Sequence, residues 1–514
     1  MKADLKHRRA FLTHPFQVDL VEAGLDEWLE QLRDDIAADR YIPSACGMVA
    51  APKPHGAIRP GADLAIQDQV VYSALLQLVR GEVQPALEWA DPPPDYAYRL
   101  LTDHTRRDWF QPYFPRWKAF DADSLELIRG GREIVVTADI AGYYELIDLS
   151  TLRSDLNALG VDREALRLLE TSLHRWARVP RRGIPQGFSP SDILGKLYLN
   201  AVDRAMADEG FVHRRWVDDF RVFCEDEREA RRALLRLTGL LGSRGLVVQS
   251  AKTRIRSAAD ARARFHQVHG VLEPIRNDFI ARLVNAGALA RPSVTAAEID
   301  EALAQLGEDD PVEVLHEAFD THFVVDPGNF NKTLLRFLLR RLGSAGDPYA
   351  LDTVIPYLAT HPEETEAVLR YAEAVGATER VEVHYVAMDQ DARAPYPYQT
   401  FQLLRWRLAV SAAPTEHFLR WVRIKAFEPV SLWAVRSAAR AILGRWGSPA
   451  DLERLQAAYA GAASDLEHAE LVCCLERMEV GRRNAFLGHV GGDGELTSRA
   501  TRLVRQGAVR WDAS

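Results

Sequence analysis

Apolar positions fall into two textures along the chain. In the first half, short β-branched or aromatic runs alternate with stretches of helical period. Leu20, Leu25, Trp28, Leu29 and Leu32 recur near a 3.6-residue spacing and predict a helix from Phe11 to about residue 38. The run Gly47-Met48-Val49-Ala50-Ala51-Pro52-Lys53 reads as extended, with His55-Gly56 as its turn and Ile58-Arg59-Pro60 as the return strand. A helix is expected from about 66 to 79. Ile134-Val135-Val136-Thr137-Ala138 predicts a buried strand ending at Asp139. Residues 150–173 read as one helix capped by Ser150 or Thr151, 180–190 as a loop, and 191–208 as a second helix. Residues 212–223 read as a hairpin with Asp218 and Asp219 at its tip; a helix over 227–243 and short strands on either side of Lys252 follow. Elements mixed in this order predict an α+β sheet with helices on one face.

After about residue 276 strand-like runs almost vanish. Helices rich in Leu, Ala and Arg alternate with Gly, Pro and Asp breaks, as at 332–342 before Gly343 and 432–443 before Gly444. An α-solenoid of helical pairs and an irregular bundle both fit, since no strict period repeats. The expected division is therefore 1–275, α+β, and 276–514, all-α and HEAT-like or irregular.

Composition narrows the class. With 514 residues the chain accommodates two or more well-buried cores. No stretch is apolar for long enough to span a bilayer, no secretory h-region opens the chain, and the four cysteines show neither metal-ligand spacing nor a disulfide framework. A cytoplasmic location is expected. The net charge of −9 disfavours sequence-blind sliding on duplex DNA, yet allows a local basic channel.

The chemistry concentrates in carboxylates. Asp139 ends an apolar strand, and Asp218 and Asp219 lie on a hairpin able to pair beside it. Three converging carboxylates repel one another, and a hard divalent ion, Mg²⁺ or Mn²⁺, relieves that repulsion while also binding substrate phosphates. Two such ions assist both the attacking and leaving oxygens of an in-line displacement. Between these elements, Arg182-Gly183-Ile184-Pro185-Gln186-Gly187-Phe188-Ser189-Pro190-Ser191 opens a helix.

The order Asp139…Tyr144, Pro185-Gln186-Gly187…Ser191, Trp216-Val217-Asp218-Asp219 and Gly245-Leu246…Lys252-Thr253 resembles motifs A to D of reverse transcriptases. Lys53, Arg59-Pro60 and Asp68-Gln69 resemble the fingers of bacterial members. The resemblance covers roughly residues 40–257 and implies a right-hand polymerase with fingers and palm. It implies that Asp139, Asp218 and Asp219 hold metal, and that Gln186 and Gly187 pack against template and nucleotide. Tyr144 would be the steric gate against a 2′-hydroxyl, and Lys53 and Arg59 would neutralise the triphosphate. Lys252 would assist the departing pyrophosphate or cap local geometry, and Trp216, where most members carry Tyr or Phe, would face the primer. Arg214-Arg215 is expected to touch a strand backbone.

A polymerase joined to a helical extension resembles bacterial defence-associated and abortive-infection reverse transcriptases. That resemblance implies antiphage DNA synthesis, with an RNA template or non-coding RNA, dNTPs and a DNA product as partners; a helical array would also suit homo-oligomers. Some such enzymes prime from a protein hydroxyl; Tyr396 and Tyr398, on a Pro-stiffened segment, are the candidates here. Arg405, Trp406, Arg407, Trp421, Arg423 and Lys425 interleave aromatics with cations, as a single-strand stacking surface or as ordinary amphipathic helices. The alternatives are template-independent protein-primed synthesis, an RNA polymerase with the same palm, and a nucleic-acid-binding sensor or scaffold with a polymerase-like palm.

Overall fold

The computed structural model describes residues 15–102, 108–285, 312–326, 328 and 330–511. The basic first residues and the start of the helix expected from Phe11 lie outside them. The chain divides into two compact units, the first from Arg40–Val49 and Pro60–Gln267, the second from Leu12–Asp39, Ala50–Arg59 and Val268–Ser514.

The first unit is built on a sheet. The hairpin β1 (Gly47–Pro52) and β2 (Ile58–Asp63) is a separate two-stranded ribbon whose tip, Ala50–Arg59, belongs to the second unit. Helices α1 (Ile66–Leu78), α2 (Arg80–Leu87) and α3 (Tyr113–Arg129) precede β3 (Ile134–Ala138). Next come β4 (Ile140–Ala141), a single turn at Tyr143–Leu146, α4 (Leu149–Ala158), α5 (Arg163–Trp176) and α6 (Ser189–Asp208). The chain continues through β5 (Val212–Trp216), β6 (Asp219–Cys224), α7 (Glu227–Ser243), β7 (Val247–Val248), β8 (Arg254–Ser257) and α8 (Ala258–Asn285). The main sheet runs β5-β6-β3-β8, with every neighbouring pair antiparallel.

Two expectations need correction. The sheet is covered on both faces: Val135 and Phe223 pack against Leu127 and Ile128 of α3 and Ala261 of α8, whereas His213 and Arg215 on the opposite face reach Asp203 of α6. The run Ile-Val-Val-Thr-Ala signals this, because a strand buried on both sides is apolar throughout rather than alternating. Residues 150–173 form two helices. Gly160, at φ 76°, turns the chain between them, and the caps are Asp148, accepting from the Thr151 N–H at 2.8 Å, and Asp162, accepting from Glu164 and Ala165.

Among the second unit's described residues, helices dominate. In order, α9 (Lys332–Ser344), α10 (Thr365–Ala374), α11 (Pro397–Ala409), α12 (Trp433–Trp446), α13 (Asp465–Cys474) and α14 (Glu495–Gln506) each pack on the next. Gln17–Glu22 packs on α14. Polar side chains tie these layers together at a recurring separation. Arg336 reaches Glu364, 28 residues on; Trp421 reaches Asp389, 32 back; Arg423 reaches Asp451, 28 on; and Arg482 reaches Glu453, 29 back. The aromatic–cationic series at 405–425 is consumed in this way: Trp406 donates to Glu373 at 2.9 Å, Arg407 is buried against Glu382, and Lys425 lies 3.0 Å from Asp389. Such pairings between helices are those of ordinary amphipathic helices, the other reading of that series.

Candidate catalytic site

The site forms where β3 stops. Register places Ala138 opposite Phe220, so Asp139, one residue on, meets Asp219. The chain then bends into β4, which pairs with β7, and the Asp139 carbonyl accepts from the Gln249 N–H at 2.7 Å. This second pairing brings the loop after β7 beside Asp139, and Lys252 Nζ lies 2.7 Å from Asp139 Oδ2.

Trp216 pairs with Asp219, leaving Val217 and Asp218 as a two-residue turn. Val217 has φ 57°, a conformation that suits glycine and costs a β-branched residue on the order of 1–3 kcal/mol. Something must hold it. The Arg215 guanidinium donates from Nη1 to the Val217 carbonyl at 2.6 Å while Nη2 lies 2.6 Å from Asp203 and 2.9 Å from Asp95. His213 Nε2 lies 3.1 Å from Asp203, and Lys196 Nζ lies 3.0 Å from Asp95. All five side chains are buried. Burial alone would raise the Asp203 carboxyl, but the Arg215 guanidinium, with His213, overrides it and brings Asp203 down to about 2. Burial would lower Arg215, and the Asp203 and Asp95 carboxylates instead raise it. Arg215 therefore anchors the turn from beneath, and its expected role on a strand backbone is corrected. The missed signal is period 2: in β5 Arg215 lies on the face opposite Trp216, and only a buried acid makes an arginine tolerable there.

Electrostatics mark Asp219. Crowding by surrounding protein, then the Asp218 and Asp139 charges and a hydrogen bond with Asp139, push its carboxyl up to about 7, against the pull of Lys252. Its hydrogen bond to Asp139 raises Lys252. Asp219 keeps a solvent-facing edge, so an ion can reach it.

As the side chains stand, no group of three or more His, Cys, Asp or Glu among the described residues is arranged to hold a metal. The donor chemistry nonetheless fits a hard divalent cation: oxygen ligands only, with a carboxyl whose ionisation burial and then neighbouring negative charges delay to about 7. Because that carboxyl must lose its proton to bind metal, affinity for Mg²⁺ should rise with pH up to about 7 and level off above it. Titration calorimetry between pH 5.5 and 8.5 checks this, and Asp219→Asn should flatten the dependence. Without metal the sign reverses for stability. A carboxyl raised in the fold favours the native state below its unfolded value near 3.9, an advantage lost as pH rises towards about 7.

The other predicted residues are placed as follows. The Tyr144 hydroxyl donates to Asp192 at 2.7 Å, its ring lies 5.2 Å from that of Tyr143, and burial followed by the Asp192 charge raises it. A Cβ on Gly195 would stand 3.3 Å from Tyr143 and 3.5 Å from Tyr144, so this glycine lets both rings lie against α6. Gly187, at φ 110°, takes a turn open to glycine, and the Gln186 carbonyl accepts from Ala62 at 3.0 Å. Ser191 Oγ donates to the Pro185 carbonyl at 2.5 Å, which fixes the loop's end. Trp216 is buried against Tyr113, Trp117 and Phe120 rather than left open.

Asp68 is buried and accepts from Tyr41 at 2.6 Å, Ser44 at 3.0 Å and Trp176 at 3.3 Å, a structural knot rather than an open fingers residue. Lys53 opens the tip of the β1–β2 hairpin, its N–H donating to the Ala57 carbonyl at 2.8 Å, and Arg59 is exposed on β2. Tyr396 and Tyr398 are half-buried at the start of α11 in the second unit.

Residues 53–281 match the family described as Reverse transcriptase (RNA-dependent DNA polymerase), a segment containing the carboxylates, the glycine loop and Lys252. Protein YkfC of Escherichia coli (strain K12) is 24% identical over 207 residues, 38% of this chain and 49% of that protein. The chain thus spans about half the length of this curated relative. Among solved structures, telomerase from Candida albicans in complex with a TWJ fragment of telomeric RNA aligns at TM-score 0.33 and 13% identity, covering 67% of this chain and 62% of that one. Apo telomerase from Candida tropicalis aligns at TM-score 0.29 and 11% identity, covering 95% and 74%.

Proposed function

We propose that this chain is a nucleotidyltransferase that adds dNTPs to a 3′-hydroxyl under direction of an RNA template, using Mg²⁺ or Mn²⁺. The observation that carries the proposal is the convergence of Asp139, Asp219 and Lys252 at one sheet end, with Asp218 in the adjoining turn. A divalent cation held by Asp139, Asp218 and Asp219 would supply positive charge to the attacking and leaving oxygens. The protein's own residues position. Lys252 holds a proton at Nζ beside Asp139, placed to meet negative charge as pyrophosphate departs. Tyr144, whose ring lies against α6, would stand under the sugar and exclude a ribose 2′-hydroxyl. Gln186 and Gly187 present a loop whose backbone can approach a base pair. Resemblance alone assigns Lys53 and Arg59 to the triphosphate.

Two finer parts rest on resemblance: antiphage defence in the cytoplasm, supported by the joining of a polymerase segment to a helical unit, and priming from a protein hydroxyl, for which Tyr396 and Tyr398 are the candidates. A plaque assay with the Asp218→Ala, Asp219→Ala variant tests the first; protease sensitivity of labelled product tests the second.

The polymerase reading is tested with purified protein, labelled dNTPs and Mg²⁺, with a primer on RNA, a primer on DNA, and no template at all. Extension on RNA that a chelator abolishes is expected. No incorporation under any condition, with nucleic-acid binding retained, would put the sensor or scaffold reading in its place. Tyr144→Ala should lower discrimination against rNTPs by roughly 10- to 100-fold, whereas Tyr144→Phe keeps the ring and should not. Unchanged rNTP use by the alanine variant would remove Tyr144 from the gate.

A further inference from the structure

The start of α3 is chemically unusual. It reads Tyr113-Phe114-Pro115-Arg116-Trp117-Lys118, three aromatics and two cations in succession. A helix normally hides such rings, yet Tyr113 is 63% and Phe114 49% exposed. The rings are nevertheless ordered. Tyr113 lies nearly parallel to Trp117, at 7° with centroids 6.2 Å apart, and meets Trp216 edge-on at 4.9 Å. Trp216 is the register partner of Asp219, so Tyr113 stands beside the turn that carries the carboxylates. The Asp219 charge is felt there: burial first, then Asp121 and Asp219, raise the Tyr113 hydroxyl.

The charges on this helix are sorted. Asp121 is taken up by Arg221 at 2.7 Å, and Asp123 by the Tyr96 hydroxyl and by Arg214 at 3.7 Å. Lys118 Nζ rides 4.9 Å above the Phe114 ring, and the Arg116 guanidinium lies 5.3 Å from the Tyr96 ring. Arg116 Nε is buried with no hydrogen-bond partner among the described residues. What remains on offer is the exposed Tyr113 ring, with the exposed Lys118 and the half-buried Arg116 on the same stretch of helix. A polyanion whose units carry π faces matches both features, and single-stranded nucleic acid is that polyanion.

We propose that Tyr113, backed by Trp117, is the stacking platform for the 3′-terminal base of an unpaired nucleic acid strand, with Arg116 and Lys118 meeting its phosphates. The polymerase reading supplies the purpose of delivering a 3′ end here; the binding itself does not depend on it.

Oligonucleotides of DNA and of RNA ending in 2-aminopurine test the platform, because stacking on an aromatic ring quenches that base. Full-length protein should quench the terminal probe and not one labelled far from the 3′ end. Tyr113→Leu keeps apolar bulk but removes the π face; it should lose the quench and weaken binding roughly 5- to 100-fold, while Tyr113→Trp retains both. Thermal denaturation checks that each variant folds, as exposure of Tyr113 leads us to expect. Unchanged quenching and affinity in Tyr113→Leu, or equal quenching at the distant position, overturns the platform. Incorporation of dNTPs is read in parallel. Terminal quenching without incorporation sustains the platform and rejects the polymerase reading; incorporation with no effect of Tyr113→Leu does the reverse.

Discussion

Asp139→Asn is expected to lower dNTP incorporation by at least roughly 10³-fold while leaving the first unit folded. A loss of that size corresponds to about 4 kcal/mol of transition-state stabilisation, the scale at which bound cations act on phosphoryl and nucleotidyl transfer. The asparagine is isosteric but removes a negative charge facing Asp219 and the salt bridge to Lys252. Two consequences separate this from general damage. Relieved of one like charge, Asp219 should titrate lower, so the pH dependence of metal affinity moves towards acid. The stability of the metal-free protein should rise, because the repulsion in the cluster has been reduced. Single-turnover incorporation measures the loss of activity, and Mg²⁺ titration calorimetry across pH together with urea unfolding measures the two consequences. A variant retaining a tenth or more of wild-type activity would show that Asp139 is not at the reacting centre.

The carboxylate meeting was legible in the sequence because it depends on local rules. A β-branched run ends at Asp139, a hairpin places two acids at its tip, and antiparallel register between such elements leaves little freedom. The loop at Gly187 was legible for a similar reason, since glycine after Pro-Gln marks a backbone that other residues resist. What stayed hidden was set by distant partners. Arg215 looked like a surface arginine until Asp203, 12 residues back, and Asp95, 120 back, enclosed it. Trp216 looked open until α3, some hundred residues upstream, covered it with Trp117 and Phe120. The break at Gly160 was a different failure: Gly160-Val161-Asp162 is a C-cap glycine followed by an N-cap aspartate, and helical periodicity masked it. In the second unit, aromatic–cationic interleaving came from bridges between neighbouring helices about thirty residues apart, which no linear motif displays.

Arg215→Ala carries the other large effect, and it acts through folding and catalysis together. The substitution strands the Asp203 and Asp95 carboxylates in a buried site, with His213, Lys196 and the Ala97 N–H left to meet them. Breaking one side of a buried ion pair costs about 3–5 kcal/mol, and the first unit should lose on the order of 10 °C in melting temperature. The penalty should depend on pH in a stated direction. Asp203, held down to about 2, contributes stability that is complete above the ordinary carboxylate value near 3.9 and disappears as pH falls towards 2. The gap between wild type and variant should therefore be full at pH 5 and above and close in strong acid. Arg215→Lys sharpens the test. It keeps one positive charge for the acids but cannot reach Asp203, Asp95 and the Val217 carbonyl at once, as the guanidinium does. Stability should return in part. The Val217 turn, freed from its carbonyl anchor, should relax from its positive φ and carry Asp218 out of register with Asp139. Incorporation by a folded Arg215→Lys protein should then remain at least roughly tenfold below wild type in kcat, with KM for dNTP little changed. A lysine variant with wild-type kcat would reduce Arg215 to a structural ion-pair partner and remove it from the positioning of the catalytic turn.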